Sequence, residues 1–383
     1  MQTWIHRLRT VNWLMLVMVH CLTGHGNAEL SHQSNTERTS IFENGQHVLT
    51  YHGAHVTQDG NWARANYLHP LTNPSGQVIT EDFPDDHPHH RGVFWAWHQA
   101  WLQERQLGDA WSCNGFRWNL ISSRTYHDRN TIVIENDLTW STVEKTTWMQ
   151  SSPKPSLERD GANHPKLNSI GVESNAERVN PVDLIHEKNW IRVHPTHHNY
   201  RVIDFFIHLS ANHEGVRIGG SEDTKGYGGF SVRLKLDGTE VFRSNDREVK
   251  PETQAVTAGN WLDVSRLDSG LTIINHPLNP GVQRDQASWI LRRKHSMQNA
   301  VYPGREPILI PRDQPLGLGY RLVLHDGSLK EEHLSQISAS FEHVSQPWSL
   351  HSGDQQEEGA IRSRPLRSWL QKRLRSMQDN SIN

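Results

Sequence analysis

Only two cysteines occur in 383 residues, Cys21 and Cys113, and removal of the N-terminal segment that holds Cys21 would leave no internal disulfide. Long apolar runs are equally scarce. Beyond residue 25 none approaches the roughly 20 residues that a membrane-spanning helix needs. Neither sign of charge prevails, since 39 Lys and Arg face 42 Asp and Glu for a net charge of −3, so nothing global draws the chain to nucleic acid. No repeat of fixed period is present, and no phosphate-binding loop. Lys225-Gly-Tyr-Gly-Gly229 is glycine-rich, but it leads into a strand pattern instead of opening a helix.

Histidine and tryptophan are abundant, at 26 and 15 residues. Tryptophan offers a flat apolar face with one N–H donor, suited to sugar rings as well as to cores. Histidine transfers protons near neutral pH and binds metals as neutral imidazole. The N-terminus carries His6, Arg7 and Arg9 ahead of the apolar run Val11–Leu22, then Gly26-Asn27-Ala28 with small residues at −3 and −1. This order predicts a signal peptide over 1–28, an exported (periplasmic or extracellular) protein, and no stable membrane insertion after cleavage.

Apolar residues alternate with period two. Phe230, Val232, Leu234 and Leu236 interleave with Ser231, Arg233 and Lys235; Leu318, Tyr320, Leu322 and Leu324 interleave with Gly319, Arg321, Val323 and His325. Further strand candidates are Thr131–Leu138, Asn189–His194, Tyr200–Leu209, Thr239–Arg243, Trp261–Val264, Leu271–Asn275 and Ile308–Ile310, bounded by turn residues. On the polar faces of these strands Arg233, Arg321 and His325 are expected in solvent. Ser328-Leu-Lys-Glu331 reads as a capping box opening a helix to about Val344. The prediction is an all-β protein: one large antiparallel β-sandwich over 41–349 with few short helices. A flexible segment over 29–40, an insertion loop over 150–181 and a polar C-terminal tail over 350–383 complete it.

The densest chemistry lies between Tyr67 and His98, with five histidines and the carboxylates Glu81, Asp82, Asp86 and Asp85. Pro88 favours extended backbone at His87, which would place His87 and His89 on one face and His90 on the other. Two chemistries fit. In the first, His87, His89 and His90 transfer protons with Asp86 as partner, and Arg91 steadies oxyanion charge. In the second, His87 and His89 chelate a divalent metal (Zn, Fe, Cu or Mn), with Asp82, Asp86, His98 or a distant histidine completing the set. Trp95 and Trp97 share a face and could stack on a sugar. Tyr67, His69, Lys225, Tyr227, Arg233 and His276 are the further candidates for contacts to a saccharide.

The pieces YLHPL, NPSG, DFPDDHPHHRG, KGYGG, GLTIINHPLNP and GYRLVLHDG, from Tyr67 to Gly327, resemble a family of secreted bacterial proteins labelled "methane oxygenase PmoA". Where the family often has Lys-Glu, this chain has Lys225-Gly226, and 99–114 diverges. The label evokes a membrane monooxygenase subunit with several spans, which this sequence lacks beyond its leader. The resemblance implies instead a galactose-mutarotase-like β-sandwich acting on sugars through histidine and carboxylate groups. The expectation is thus a carbohydrate-active enzyme of epimerase, lyase or hydrolase type, with a metal-dependent oxygenase or a non-catalytic sugar-binding envelope protein as alternatives.

Overall fold

A computed structural model describes residues 29–143, 181–245, 247–282, 286–294 and 297–344. The expected signal peptide, most of the insertion loop and the C-terminal tail lie outside the described residues. Two nine-stranded sheets dominate. The first runs Leu30–Ser34, Arg38–Glu43, Gln46–His52, Tyr67–Leu71, Val93–Ala96, Gly229–Arg233, Met297–Ala300, Ala287–Ile290, Val256–Ala258. The second runs Phe116–Asp128, Thr131–Thr142, Asp183–Val193, Tyr200–Ala211, Leu316–Asp326, Ser269–Asn275, Trp261–Ser265, Val241–Ser244, Arg247–Glu248. Neighbours pair antiparallel, as at Val93–Ala96 with Gly229–Arg233 and at Leu316–Asp326 between its two partners. A four-stranded sheet (Ile308–Leu309, Val216–Gly219, Gln99–Leu102, Arg105–Gly108) and the hairpin Val56–Gln58 with Asn61–Arg64 add to this frame.

The alternation in sequence becomes the pleat of half-buried strands. Phe230 stacks on Tyr320 across the two sheets with ring centres 4.4 Å apart, and Trp95 reaches Phe205 at 6.3 Å. Burying such a side chain contributes about 1.5–3 kcal/mol, and one continuous core joins both sheets.

Four expectations need correction. Residues 29–40 are not a loose lead-in, because Leu30–Ser34 and Arg38–Glu43 pair as the edge of the first sheet. An edge strand exposes much of its length, and that exposure explains the polar composition. The helix spans Glu331–Phe341, and its N-cap is Lys330 without a side-chain cap bond, so Ser328 forms no capping box. Arg321 and His325 are buried instead of solvated. The helix covers Arg321, whose guanidinium donates to the Ile337 carbonyl and binds Asp204, while His325 bonds Asp263 at 2.9 Å. Arg233 is buried as well, as described below.

Glu187 sits in the core with no exposed surface. It accepts from the indoles of Trp95 (2.8 Å) and Trp140 (2.7 Å) and from the amides of Asn66 (3.0 Å) and Asn189 (2.8 Å). Burial pushes its proton affinity up despite these donors. Glu187→Ala leaves four buried donors without their acceptor and is expected to cost about 3 kcal/mol. A urea midpoint equal to that of the parent chain would refute this.

Candidate functional site

Residues 80–92 form a loop pinned at its base. Glu81 N–H donates to the Arg233 carbonyl at 3.0 Å, Gly92 N–H to the Glu81 carbonyl at 2.8 Å, and Arg233 N–H to the Gly92 carbonyl at 2.7 Å. Gly92 has φ +38°, and a Cβ there would lie 1.9 Å from the Leu68 carbonyl oxygen, so only glycine fits. Inside the loop the chain is not extended. His87 N–H bonds the Pro84 carbonyl and His90 N–H bonds the His87 carbonyl, which makes two successive turns. A turn brings residues i and i+3 together. His87 and His90 therefore stack, ring centres 4.8 Å apart and 6° from parallel, while His89 meets His90 edge-on at 4.5 Å. The shared face predicted for His87 and His89 is replaced by this three-ring pile.

Two arginines hold the loop. Arg91 is fully buried. Its Nε binds Asp82, its Nη1 donates to the Val56 and Trp62 carbonyls (both 3.1 Å), and its Nη2 reaches the Tyr67 hydroxyl. Its guanidinium also lies over Phe83 (3.5 Å) and Tyr67 (4.4 Å). Every donor is committed, so Arg91 and Tyr67 brace the loop and offer nothing to an oxyanion or a sugar. Arg233 binds Glu81 (2.9 Å) and Asp86 (2.7 Å), and its Nη1 points at His90 Nδ1 (3.2 Å). A guanidinium can only donate, so His90 Nδ1 accepts and its proton sits on Nε2. Burial first, then the charges of neighbouring histidines and Arg233, hold His90 neutral far below the ordinary imidazole range. His90 is then an N–H donor and not a proton shuttle.

Other candidates disperse. Trp95 and Trp97 are core residues; Trp97 donates to the Tyr302 carbonyl at 2.8 Å. In a strand buried on both faces the period-two pair points into the sandwich, so no stacking platform exists. His69 bonds Thr80 through Nδ1 (3.0 Å), and its carbonyl meets His52 Nε2 (2.6 Å), beside the Arg91 network. Lys225 pairs with Asp223 at 3.2 Å. His276 is buried against Phe341 of the helix, ring centres 4.7 Å apart, in the outer cluster that the helix shares with Phe206 and Trp261. Among the described residues no three His, Cys, Asp or Glu converge in a metal-ligand arrangement, and the His87 and His89 rings lie edge-on, 5.7 Å apart.

The structure supplies partners that the sequence did not single out. His98 Nδ1 bonds Asp109 at 2.9 Å, and Asp109 also accepts from the Ser112 N–H at 3.0 Å. Burial raises the Asp109 carboxyl, but the His98 bond and charge and the Ser112 bonds outweigh it and hold the carboxyl low. A carboxylate on Nδ1 fixes the Nδ1–H tautomer, which leaves His98 Nε2 a bare acceptor. That Nε2 is buried without a partner, as is Trp111 Nε1. Trp111 stacks on His98 (5.2 Å), and Tyr227 closes on both (4.6 and 5.2 Å). His90 reaches Trp111 at 5.9 Å, so the histidine pile and this second group are continuous. At the rim His87, with 47% of its side chain exposed, bonds Asp86 at 2.6 Å.

His89 is held to about 4, by burial and then by the charges of Arg64, His87 and His98. His276 also falls to about 4, through burial and Arg321. Both rings are neutral in the fold, whereas an unfolded imidazole takes a proton near 6.5. Their stabilising effect is whole above pH 6.5 and drains away as pH falls toward about 4. Between pH 7 and 4.5 the chain should lose on the order of 2–4 kcal/mol, with the partly exposed His89 discounted for screening. Guanidinium midpoints test this, and a flat profile would contradict it.

A cleft of about 440 Å³ opens elsewhere, lined by Val78, Ile79, Leu234, Leu236, Val264 and Leu271 among others. No histidine lines it, and its Asp237 and Arg266 pair with each other at 3.1 Å, so the reactive groups mark the site better than volume does. No helix among the described residues is long and apolar enough to cross a membrane. No curated protein matches the chain. The model of a family of unknown function, DUF6807, matches residues 38–339, a span that holds both sheets from Arg38–Glu43 onward and every residue of the site, and the chain belongs to that family.

Proposed function

We propose that this chain is an exported carbohydrate-active enzyme that moves protons on a saccharide, an isomerase or lyase built on a mutarotase-like sandwich. The observation that carries this reading is His98, with Nδ1 on Asp109 and a bare, buried Nε2 facing no protein partner. An imidazole oriented by a carboxylate is a competent general base. The His87–Asp86 pair at the rim supplies a second imidazole for proton return, and His89 lies close enough to both pairs that the charges of His87 and His98 act on it. His90 and Tyr227 contribute an N–H and a hydroxyl. Hydrolysis is less well served, because glycosidases use two free carboxyl groups and here Glu81, Asp82, Asp86 and Asp109 are committed to arginine or histidine.

The test is a panel of mono- and oligosaccharides incubated with the full chain in deuterium oxide, with and without added Zn, Mn or Fe and with chelator. Deuterium entering a sugar carbon, or a new double bond, is the expected signal. Folded His98→Gln should lose it. Equal turnover in parent and variant, on a sugar that the parent converts, would sink the reading.

A further inference from the structure

Among the described residues five arginines are buried: Arg64, Arg91, Arg201, Arg233 and Arg321. Four have carboxylate partners, namely Asp82 for Arg91, Glu43 for Arg201, Glu81 and Asp86 for Arg233, and Asp204 for Arg321. Arg64 is the exception. It is 1% exposed, and its Nη2 donates only to the neutral carbonyls of Ala110 (3.0 Å) and Trp111 (2.7 Å). Its Nε has no partner at all. The guanidinium is sandwiched between Phe94 (4.7 Å) and Trp118 (4.8 Å). Aromatic faces offset part of the desolvation but supply no counter-charge.

This cation belongs to the site. It depresses the proton affinity of both His89 and His90, and Phe94 beneath it touches Trp111, whose indole N–H is also buried and unpartnered. Two unsatisfied donors and one positive charge without a carboxylate partner thus lie within one packed cluster of rings. The nearby carboxylate, Asp109, is taken by His98 and Ser112. Such a constellation is complementary to an acceptor-rich anion. We propose that the saccharide carries an anionic substituent, a carboxylate or a sulfate ester, and that Arg64 and the Trp111 indole bind it. The proposal rests on reading this place as a saccharide site and names the substrate class. Entry requires the Asp109–Asn114 loop, closed by paired backbone bonds of 2.9 and 2.8 Å, to move outward. The competing partner is the thiol of Cys113, close enough to Arg64 to raise its proton affinity.

Titration calorimetry on the full chain compares glucuronate, galacturonate and glucose 6-sulfate with glucose and galactose. The acid sugars should bind about 10- to 100-fold more tightly, the scale of one charge-assisted hydrogen bond, and added salt should erode the difference. The two acid types tell carboxylate from sulfate. Arg64→Met should abolish the preference and Arg64→Lys should retain part of it; if neither folds, the acid-to-neutral ratio of the unaltered chain decides. Cys113→Ser should leave the ratio unchanged, and His98→Gln should keep it while losing turnover, which separates this proposal from the acid–base reading. Equal binding of neutral and acid sugars overturns it, as does no binding of any acid sugar at roughly 10 mM, or loss of the preference in Cys113→Ser.

Discussion

Replacing His98 with glutamine is expected to cut turnover by about 10²–10⁴-fold, the usual contribution of a positioned acid–base group, with the fold intact. Glutamine roughly preserves the shape and can still reach Asp109, but it has no basic nitrogen where Nε2 stands unpartnered. Asp109→Asn should fall almost as far, because a neutral amide no longer stabilises the imidazolium that forms in the reaction. A merely structural His98 would instead lower the unfolding midpoint and leave kcat per folded molecule within about threefold of the parent.

Arg91→Met is expected to cost about 3–5 kcal/mol, enough to leave a marginally stable domain partly unfolded at ambient temperature. The arginine has no exposed surface and is tied to Asp82, Tyr67 and two backbone carbonyls. Its removal strands Asp82 and frees the loop that carries the histidines. Equilibrium urea unfolding measures the loss. If Arg91 stabilised an oxyanion instead, the variant would keep its midpoint and lose rate, so the two measurements together discriminate brace from catalyst.

The sandwich was legible because alternation along Leu318–Leu324 and Phe230–Leu236 is a direct image of the pleat. Alternation did not reveal which polar rows are covered from outside. Arg321 and Arg233 sit on the faces that solvent would claim in a two-layer protein, and a helix and a loop bury them. The run from His87 to Arg91 did mark the site, yet its internal geometry was misread. Proline before two histidines suggested extended chain, and consecutive turns stack residues three apart. His98 stood in the same cluster, but Asp109, Trp111 and Arg64 carry no local pattern. Asp109 meets His98 across a strand turn, and Arg64 stands out only once every other buried guanidinium among the described residues is seen to have a carboxylate. His276 shares its His-Pro dipeptide with His69 but lies under the helix on the far sheet, because chemical likeness says nothing about which layer a strand end occupies.

The first sheet joins Tyr67–Leu71 to Val93–Ala96, and then to Gly229–Arg233 and Met297–Ala300. Residues far apart in the chain thus become neighbours only when that sheet is assembled, and His90, His98, Trp111 and Tyr227 cannot meet in a partly folded chain. A small molecule held by all of them favours the native state alone. At a hundred times its dissociation constant it would add about 2.7 kcal/mol to stability. Melting curves recorded against a compound library would therefore report occupancy before any reaction is known.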